Sequence, residues 1–426
     1  MYRIGMEEPS LRRFAPRRDF SPPPRAEGSG RYDPPPGSEA WQRPWLQMRH
    51  FSYQPTIYPA MLGPASDDAR PGSWVNLYDK YGQPFGNGLF NPRARVPLRV
   101  FKHGPEFQGD DYLVSLIDRA LDLRQDLLQL PTTTDAYRAI HSDGDGLGGL
   151  IVDRFGDVLS IQVHSLGIFQ RLAAWIPRLH QRLGTKKAVV HVDDQIARWE
   201  GIPLRQVVSD PVRNVKIREN GLRYEVDFTE GHKTGFFCDQ RDNRRKLALW
   251  TQGKRVLDLC CYTGGFALSA MVTGGATEVT AVDLDEHAIE QAKRNANLNN
   301  VRVNWIHCDA FSYARQMQKN TERWDVVVLD PPKLLLSREE QAEGERKYDD
   351  LNALGMMRVA PGGLFVTCSC SGLLPAEAFE DLVVKAAHRV DRRLQILDRT
   401  GASADHPEMS NCPESRYLKV IWGRLW

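Results

Sequence analysis

The chain has no long apolar run. Nothing in it approaches the roughly 20 residues that a membrane span requires, and its opening, MYRIGMEEPSLRR, lacks the apolar core of a signal peptide. Together these predict a cytoplasmic protein with no membrane partner. Cysteine is scarce: seven in 426 residues, an odd number with no framework spacing, which points away from disulfides and towards free thiols in a reducing compartment. The pairs Cys260-Cys261 and Cys368-Cys370 lack CxxC spacing and a nearby histidine pair, so no metal site is expected. Excess charge is also missing. The net charge of +2 means that any polyanion must be held by local patches. Finally, no GxGxxG follows a strand, and GHKT at 231 to 234 does not have the GxxxxGK[ST] spacing, which removes the two common phosphate cradles.

What is present divides into four stretches. Residues 1 to about 45, with SPPPR and GSGRYDPPPGS, are poor in aliphatic residues and read as a disordered tail. Its Arg12, Arg13, Arg17, Arg18 and Arg25 are candidate RNA contacts, with a merely solvated tail as the alternative. Residues 46 to 105 show short alternating strands (VNLYD, VPLRVF) with turns at KYGQP and FNPRA, the pattern of a small β-barrel. Residues 106 to 229 carry helical spacing over 111 to 129 and near 168 to 183, and strands around AYRAIHSDGDGLGGLIVDRFGDVLSIQVHS, 188 to 193 and 213 to 228. They read as a small α+β domain. From 230 to 426, apolar strands alternate with helices, which predicts a parallel, doubly wound α/β sheet.

In such a sheet, ligands bind beyond the carboxyl ends of the strands. Four strand ends carry polar groups here: Asp258 before Tyr262-Thr263-Gly264-Gly265; Asp283, 25 residues further on; Asp309 in HCDA; and Asp330 in LDPPK. The glycines allow a close backbone approach, Asp283 is placed to accept from a ribose diol, and Asp309 to meet an adenine amino group. For Asp258 alone the alternative is a loop cap, and for Asp283 a helix N-cap. The four together resemble a class I S-adenosylmethionine-dependent methyltransferase, with its Rossmann-like sheet.

The runs EGHKTGFFCDQRDNRR (230 to 245), LDLCCYTGGFALSA, LDPPKL, TCSCSGL and ADHPE…YLK narrow this further. They resemble the RlmI-type family, which methylates carbon 5 of a cytosine in large-subunit (23S) ribosomal RNA. The resemblance covers about 46 to 426. It implies an N-terminal PUA-like RNA-binding module, a small central domain, S-adenosylmethionine as cofactor, RNA as partner, and admits a homodimer. It implies that Gln240 and Arg241 lie in the segment closing over the cofactor. Arg241 and Arg245 are alternatively candidate RNA phosphate contacts, as are His232 and Lys233, with surface solvation as a further alternative.

Cytosine carbon 5 is a poor nucleophile; a thiolate adding at carbon 6 makes it enamine-like. The TCSCS strand end suits that role. The family's S-C-S is matched by Ser369-Cys370-Ser371, which favours Cys370, yet period-two geometry turns Cys368 to the same face. Lys333 is a candidate for favouring the thiolate, and Asp330, protonated or sharing a proton, a candidate donor to the cytosine ring nitrogen. Cys260, Cys261 and Cys308 read as packing residues. Two other readings stay open: a guanine nitrogen 7 methyltransferase, which needs no cysteine, and a non-catalytic RNA-binding or assembly factor.

Overall fold

A computed structural model describes residues 33–106, 109–229 and 235–426; the arginines singled out between 12 and 25 lie outside them. The first sheet has six strands, between Trp45–Met48 and Leu98–His103. It closes over Leu46, Met48, Ile57, Val75, Leu77, Phe85, Phe90, Leu98 and Val100. The chain joins this module before residue 46. Trp41 stacks on Tyr78 with ring centroids 4.2 Å apart, and the Gln42 amide donates to the Tyr78 hydroxyl at 2.8 Å. The tail expected to run to 45 is therefore docked over its last residues, because two aromatic rings bury each other's faces.

The middle stretch is a four-stranded sheet, Ala136–His141, Leu150–Phe155, Val158–Val163 and Lys187–His191, with helices Asp110–Asp122 and Leu166–Leu183. Its apolar core includes Trp74, Leu89 and Phe101 of the first sheet, so these two units share one core. The hairpin Asn214–Glu219/Leu222–Asp227 behaves differently. Its Tyr224 and Val226 pack with Phe236, Leu268 and Ala296, and its buried Glu219 pairs with Arg244 at 2.7 Å. It is thus packed on the C-terminal α/β unit.

That unit is a seven-stranded sheet. We number its strands β1 (Arg255–Leu259), β2 (Glu278–Asp283), β3 (Asn304–His307), β4 (Trp324–Leu329), β5 (Val359–Ser369), β6 (Leu394–Thr400) and β7 (Lys419–Leu425). Their order is β3-β2-β1-β4-β5-β7-β6. The first five are parallel, as Val-rich runs joined by crossover helices should be. One strand departs from the all-parallel expectation: β7 inserts antiparallel between β5 and β6, so that β6 again runs with the first five. Strand β6 escapes a sequence reading because its residues alternate between half-buried and exposed, as an edge strand does. No helix among the described residues is long and apolar enough to cross a membrane.

Candidate active site

Strands β1 to β4 end side by side and in register, so the four expected aspartates converge on one sheet edge. After β1 the chain turns sharply. Cys260 (φ 64°), Tyr262 (φ 49°) and Gly264 (φ 86°) all have left-handed backbone. For the two non-glycine residues this costs on the order of 1–3 kcal/mol each, a strain that functional turns retain. The Tyr262 amide is compensated by donating to Asp283 Oδ2 at 2.8 Å, and Asn295 holds the Thr263 carbonyl at 3.1 Å. The glycines serve the protein's own packing more than an open approach to a ligand. A Cβ on Gly264 would lie 2.6 Å from the Trp305 ring, and one on Gly265 2.9 Å from Arg244 Cδ.

Asp258 is fully buried. Its Oδ2 accepts from the Ala267 amide at 3.0 Å, while Oδ1 is buried without a hydrogen-bond partner. Burial, then the charges of Asp330 and Asp283, push its carboxyl up to about 8. Asp330 is pushed up to about 7 by burial and by Asp239; the Gln240 amide, donating to its Oδ2 at 3.0 Å, opposes this. Asp283 accepts from Tyr262 and from the Asp285 amide at 2.9 Å. Asp309 caps the helix Ala310–Lys319 through Ser312, so one of its oxygens is already used. Crowded carboxyls at a sheet edge, one with an orphaned buried oxygen, suit a cationic ligand. S-adenosylmethionine, a sulfonium with a ribose and an adenine, fits this donor set. A cavity of about 340 Å³ lies alongside, with Tyr262 and Thr263 in its wall.

The two cysteines have different surroundings. Cys368, on β5, is fully buried; its thiol lies against Asp330 and Gln240, and burial together with Asp330 pushes it well above the usual thiol range. Cys370 lies one residue beyond β5 and is half-buried. The serines on either side are anchored: Ser369 Oγ and Ser371 Oγ each lie 3.0 Å from the Tyr348 hydroxyl. Lys419, opposite Ser369 on β7, reaches across to donate to the Ser371 carbonyl at 2.6 Å.

Lys333 is exposed on the loop after β4. His232 and Lys233 lie outside the described residues. Arg245 is exposed on helix Arg241–Ala248. Arg241 requires a correction. Expected as an RNA contact, it is only 1% exposed and grips Asp405 with two hydrogen bonds of 2.9 and 2.7 Å. Asp405 also accepts the Arg138 amide at 2.9 Å, tying the middle sheet to the catalytic unit. A guanidinium buried and committed to a buried carboxylate is not free to reach a phosphate on the surface. Lys419, Tyr348 and Asp405 were not assigned roles from sequence. Lys419 and Asp405 carried a signal, a charge inside the apolar strand YLKVIW and an acid in ADHPE; Tyr348 carried none. Among the described residues no cluster of three or more metal-ligating side chains occurs.

Comparison with known proteins agrees with this geometry. Residues 198–419 match the family described as S-adenosylmethionine-dependent methyltransferase, and residues 52–103 a PUA-like domain. A protein named ribosomal RNA large subunit methyltransferase I from Erwinia tasmaniensis is 34% identical over 381 residues, covering 88% of this chain and 95% of the relative. Its namesake from Aeromonas hydrophila is 36% identical over 360 residues, covering 82% and 90%. Among solved structures, a Streptococcus mutans chain described as a SAM-dependent methyltransferase superposes with TM-score 0.70 at 21% identity, covering 84% of this chain and 93% of that one. A methyltransferase solved with SAH superposes with TM-score 0.71 at 21% identity, with the same coverage. Both show the fold. Sheet order, strand-end carboxylates and these matches lead to one conclusion: the chain belongs to the S-adenosylmethionine-dependent methyltransferases, in the family whose curated members are named ribosomal RNA large subunit methyltransferase I.

Proposed function

We propose that this protein methylates carbon 5 of a cytosine in large-subunit ribosomal RNA, with Cys370 as the nucleophile. The observation that carries this reading is the contrast between the cysteines. Cys368 is sealed against a carboxyl that opposes its ionisation, whereas Cys370 is half-buried at the strand end with a lysine across from it. The relatives' name supplies the RNA class, and the PUA-like module a second surface for it.

Asp258, Asp283 and Asp309, with the Tyr262–Gly265 turn and Gln240, would hold S-adenosylmethionine, which supplies an electrophilic methyl group when bound. Asp330, with its carboxyl near 7, carries a proton part of the time at neutral pH and donates it to the cytosine ring nitrogen. The Cys370 sulfur then bonds to carbon 6, and the carbon 5–carbon 6 double-bond electrons shift to carbon 5. Once carbon 5 bears its methyl group, a base removes the carbon 5 proton. The sulfur–carbon 6 bond breaks, the double bond returns, and the ring-nitrogen proton goes back to Asp330. Gln240 keeps Asp330 oriented throughout.

The test is to incubate the protein with labelled S-adenosylmethionine and unmodified ribosomal RNA and identify the labelled nucleoside by mass. 5-Methylcytidine is the expected product. 7-Methylguanosine, or no label on RNA, overturns the reading.

A further inference from the structure

Three buried arginines among the described residues are paired with acids. Arg124 pairs with Asp145 at 2.6 Å, Arg241 with Asp405 at 2.7 Å and Arg244 with Glu219 at 2.7 Å. Lys419 breaks the pattern. It is 6% exposed, and its ammonium donates to two backbone carbonyls, Ser371 at 2.6 Å and Tyr417 at 2.9 Å. Among the described residues no carboxylate forms an ion pair with it. Arg358 also bonds only to carbonyls, but it precedes the opposite end of β5, and its guanidinium delocalises its charge. A compact buried ammonium without a counterion is costly.

The anion that Lys419 lacks is available next door. Strand pairing sets Lys419 opposite Ser369, and its hydrogen bond grips the carbonyl of Ser371. Lys419 therefore reaches both neighbours of Cys370, Ser369 by its strand position and Ser371 by its ammonium. We propose that Lys419 is a positioning residue for the Cys370 nucleophile: its charge favours the thiolate, and its hydrogen bonds pin the turn that presents it.

Other groups act on the same place. Lys333, on the loop after β4, brings a second positive charge near Lys419, the Tyr348 hydroxyl on helix Gln341–Met356 bonds both serines that flank Cys370, and Asp330 lies against Cys368. Burial pushes Lys419 down to about 8, the charge of Cys370 pulls it up, and Lys333 pushes it down again. At neutral pH it is still mostly protonated, as the role requires. Ionisation moves one proton from the Cys370 sulfur to solvent, and the charge left on sulfur is the counterion that the ammonium otherwise lacks.

This inference rests on the reading of Cys370 as the nucleophile, and its test separates the two. The full chain is treated with iodoacetamide across pH 5.5 to 9.5, and Cys370 alkylation is followed by peptide mass for wild type, Lys419→Met and Lys419→Arg. Lys419→Met should raise the alkylation midpoint by about one pH unit, roughly tenfold less thiolate at pH 7; Lys419→Arg should restore most of it. S-adenosylmethionine affinity should not change. If Lys419→Met does not bind the cofactor, Lys419→Gln, which keeps a donor for the Ser371 carbonyl without the charge, takes its place. An unmoved midpoint in a variant that binds cofactor overturns the proposal. The pH profile of RNA methylation is recorded in parallel. If its acidic limb moves with the alkylation midpoint, both readings stand. If alkylation moves and the methylation limb does not, Lys419 still governs Cys370, but Cys370 is not the nucleophile.

Discussion

Replacing Asp330 with asparagine should change stability and activity in opposite directions, and the structure says how. In the folded chain burial and Asp239 raise the Asp330 carboxyl to about 7, against an ordinary 3.8. The rise corresponds to roughly 4 kcal/mol against the ionised form, an upper figure for a site that can relax. The sign follows from proton counting. Between the unfolded and folded values the native state binds more protons than the unfolded chain, so stability falls as pH rises from about 4 to about 7. The asparagine side chain is close in shape to the carboxyl and still accepts the Gln240 hydrogen bond, but it does not ionise. Asp330→Asn should therefore be nearly neutral, or mildly destabilising, at about pH 4 and stabilising by about 1–4 kcal/mol at about pH 8.5. Asp258 should relax partly towards its ordinary value once the neighbouring charge is gone. Methyl transfer should drop about a hundredfold or more, with the loss of a general acid. The assay is thermal unfolding of both proteins over a pH series, beside single-turnover methylation. A Tm difference between the two that stays constant from pH 5 to 9 would refute the reasoning.

Cys370→Ala should lower methyl transfer by at least about a thousandfold while leaving cofactor affinity within about twofold, whereas Cys368→Ala should cost about 1 kcal/mol of stability and retain turnover; isothermal titration and single-turnover kinetics on both variants check this, and activity in Cys370→Ala removes the assignment. Arg241→Ala should destabilise the fold by about 3–5 kcal/mol, because Asp405 is left buried without its bidentate partner. Arg245→Ala should leave Tm unchanged and weaken RNA binding modestly, with a smaller salt dependence; an RNA-binding defect in Arg241→Ala without loss of stability would assign Arg241 to the RNA surface.

The C-terminal half was legible because its signals are local. Short Val-rich strands alternating with helices report a parallel sheet through hydrophobic periodicity alone. The acids that close four of those strands sit at fixed offsets from them, so local spacing alone predicts that they share one sheet edge. The small barrel was visible in the same way, through alternation and turn residues. The tail boundary and strand β6 were not, since Trp41 on Tyr78 is a long-range contact and an edge strand shows no clean apolar face.

Sequence by itself thus determined the fold class, the shared edge of four acidic strand ends and two candidate thiols two residues apart at the end of β5. Only the tertiary structure decided the surroundings of each charged or nucleophilic side chain. Cys368 and Cys370 are equivalent by period, and differ because one is sealed against Asp330 while the other lies past the strand end. Arg241 and Arg245 are one helical turn apart, and differ because Asp405, 164 residues along the chain, reaches only the first. Lys419 gains its place from antiparallel pairing with Ser369. Burial and the partner across a long loop set whether a charge is structural, catalytic or merely solvated, and neither is encoded in local spacing.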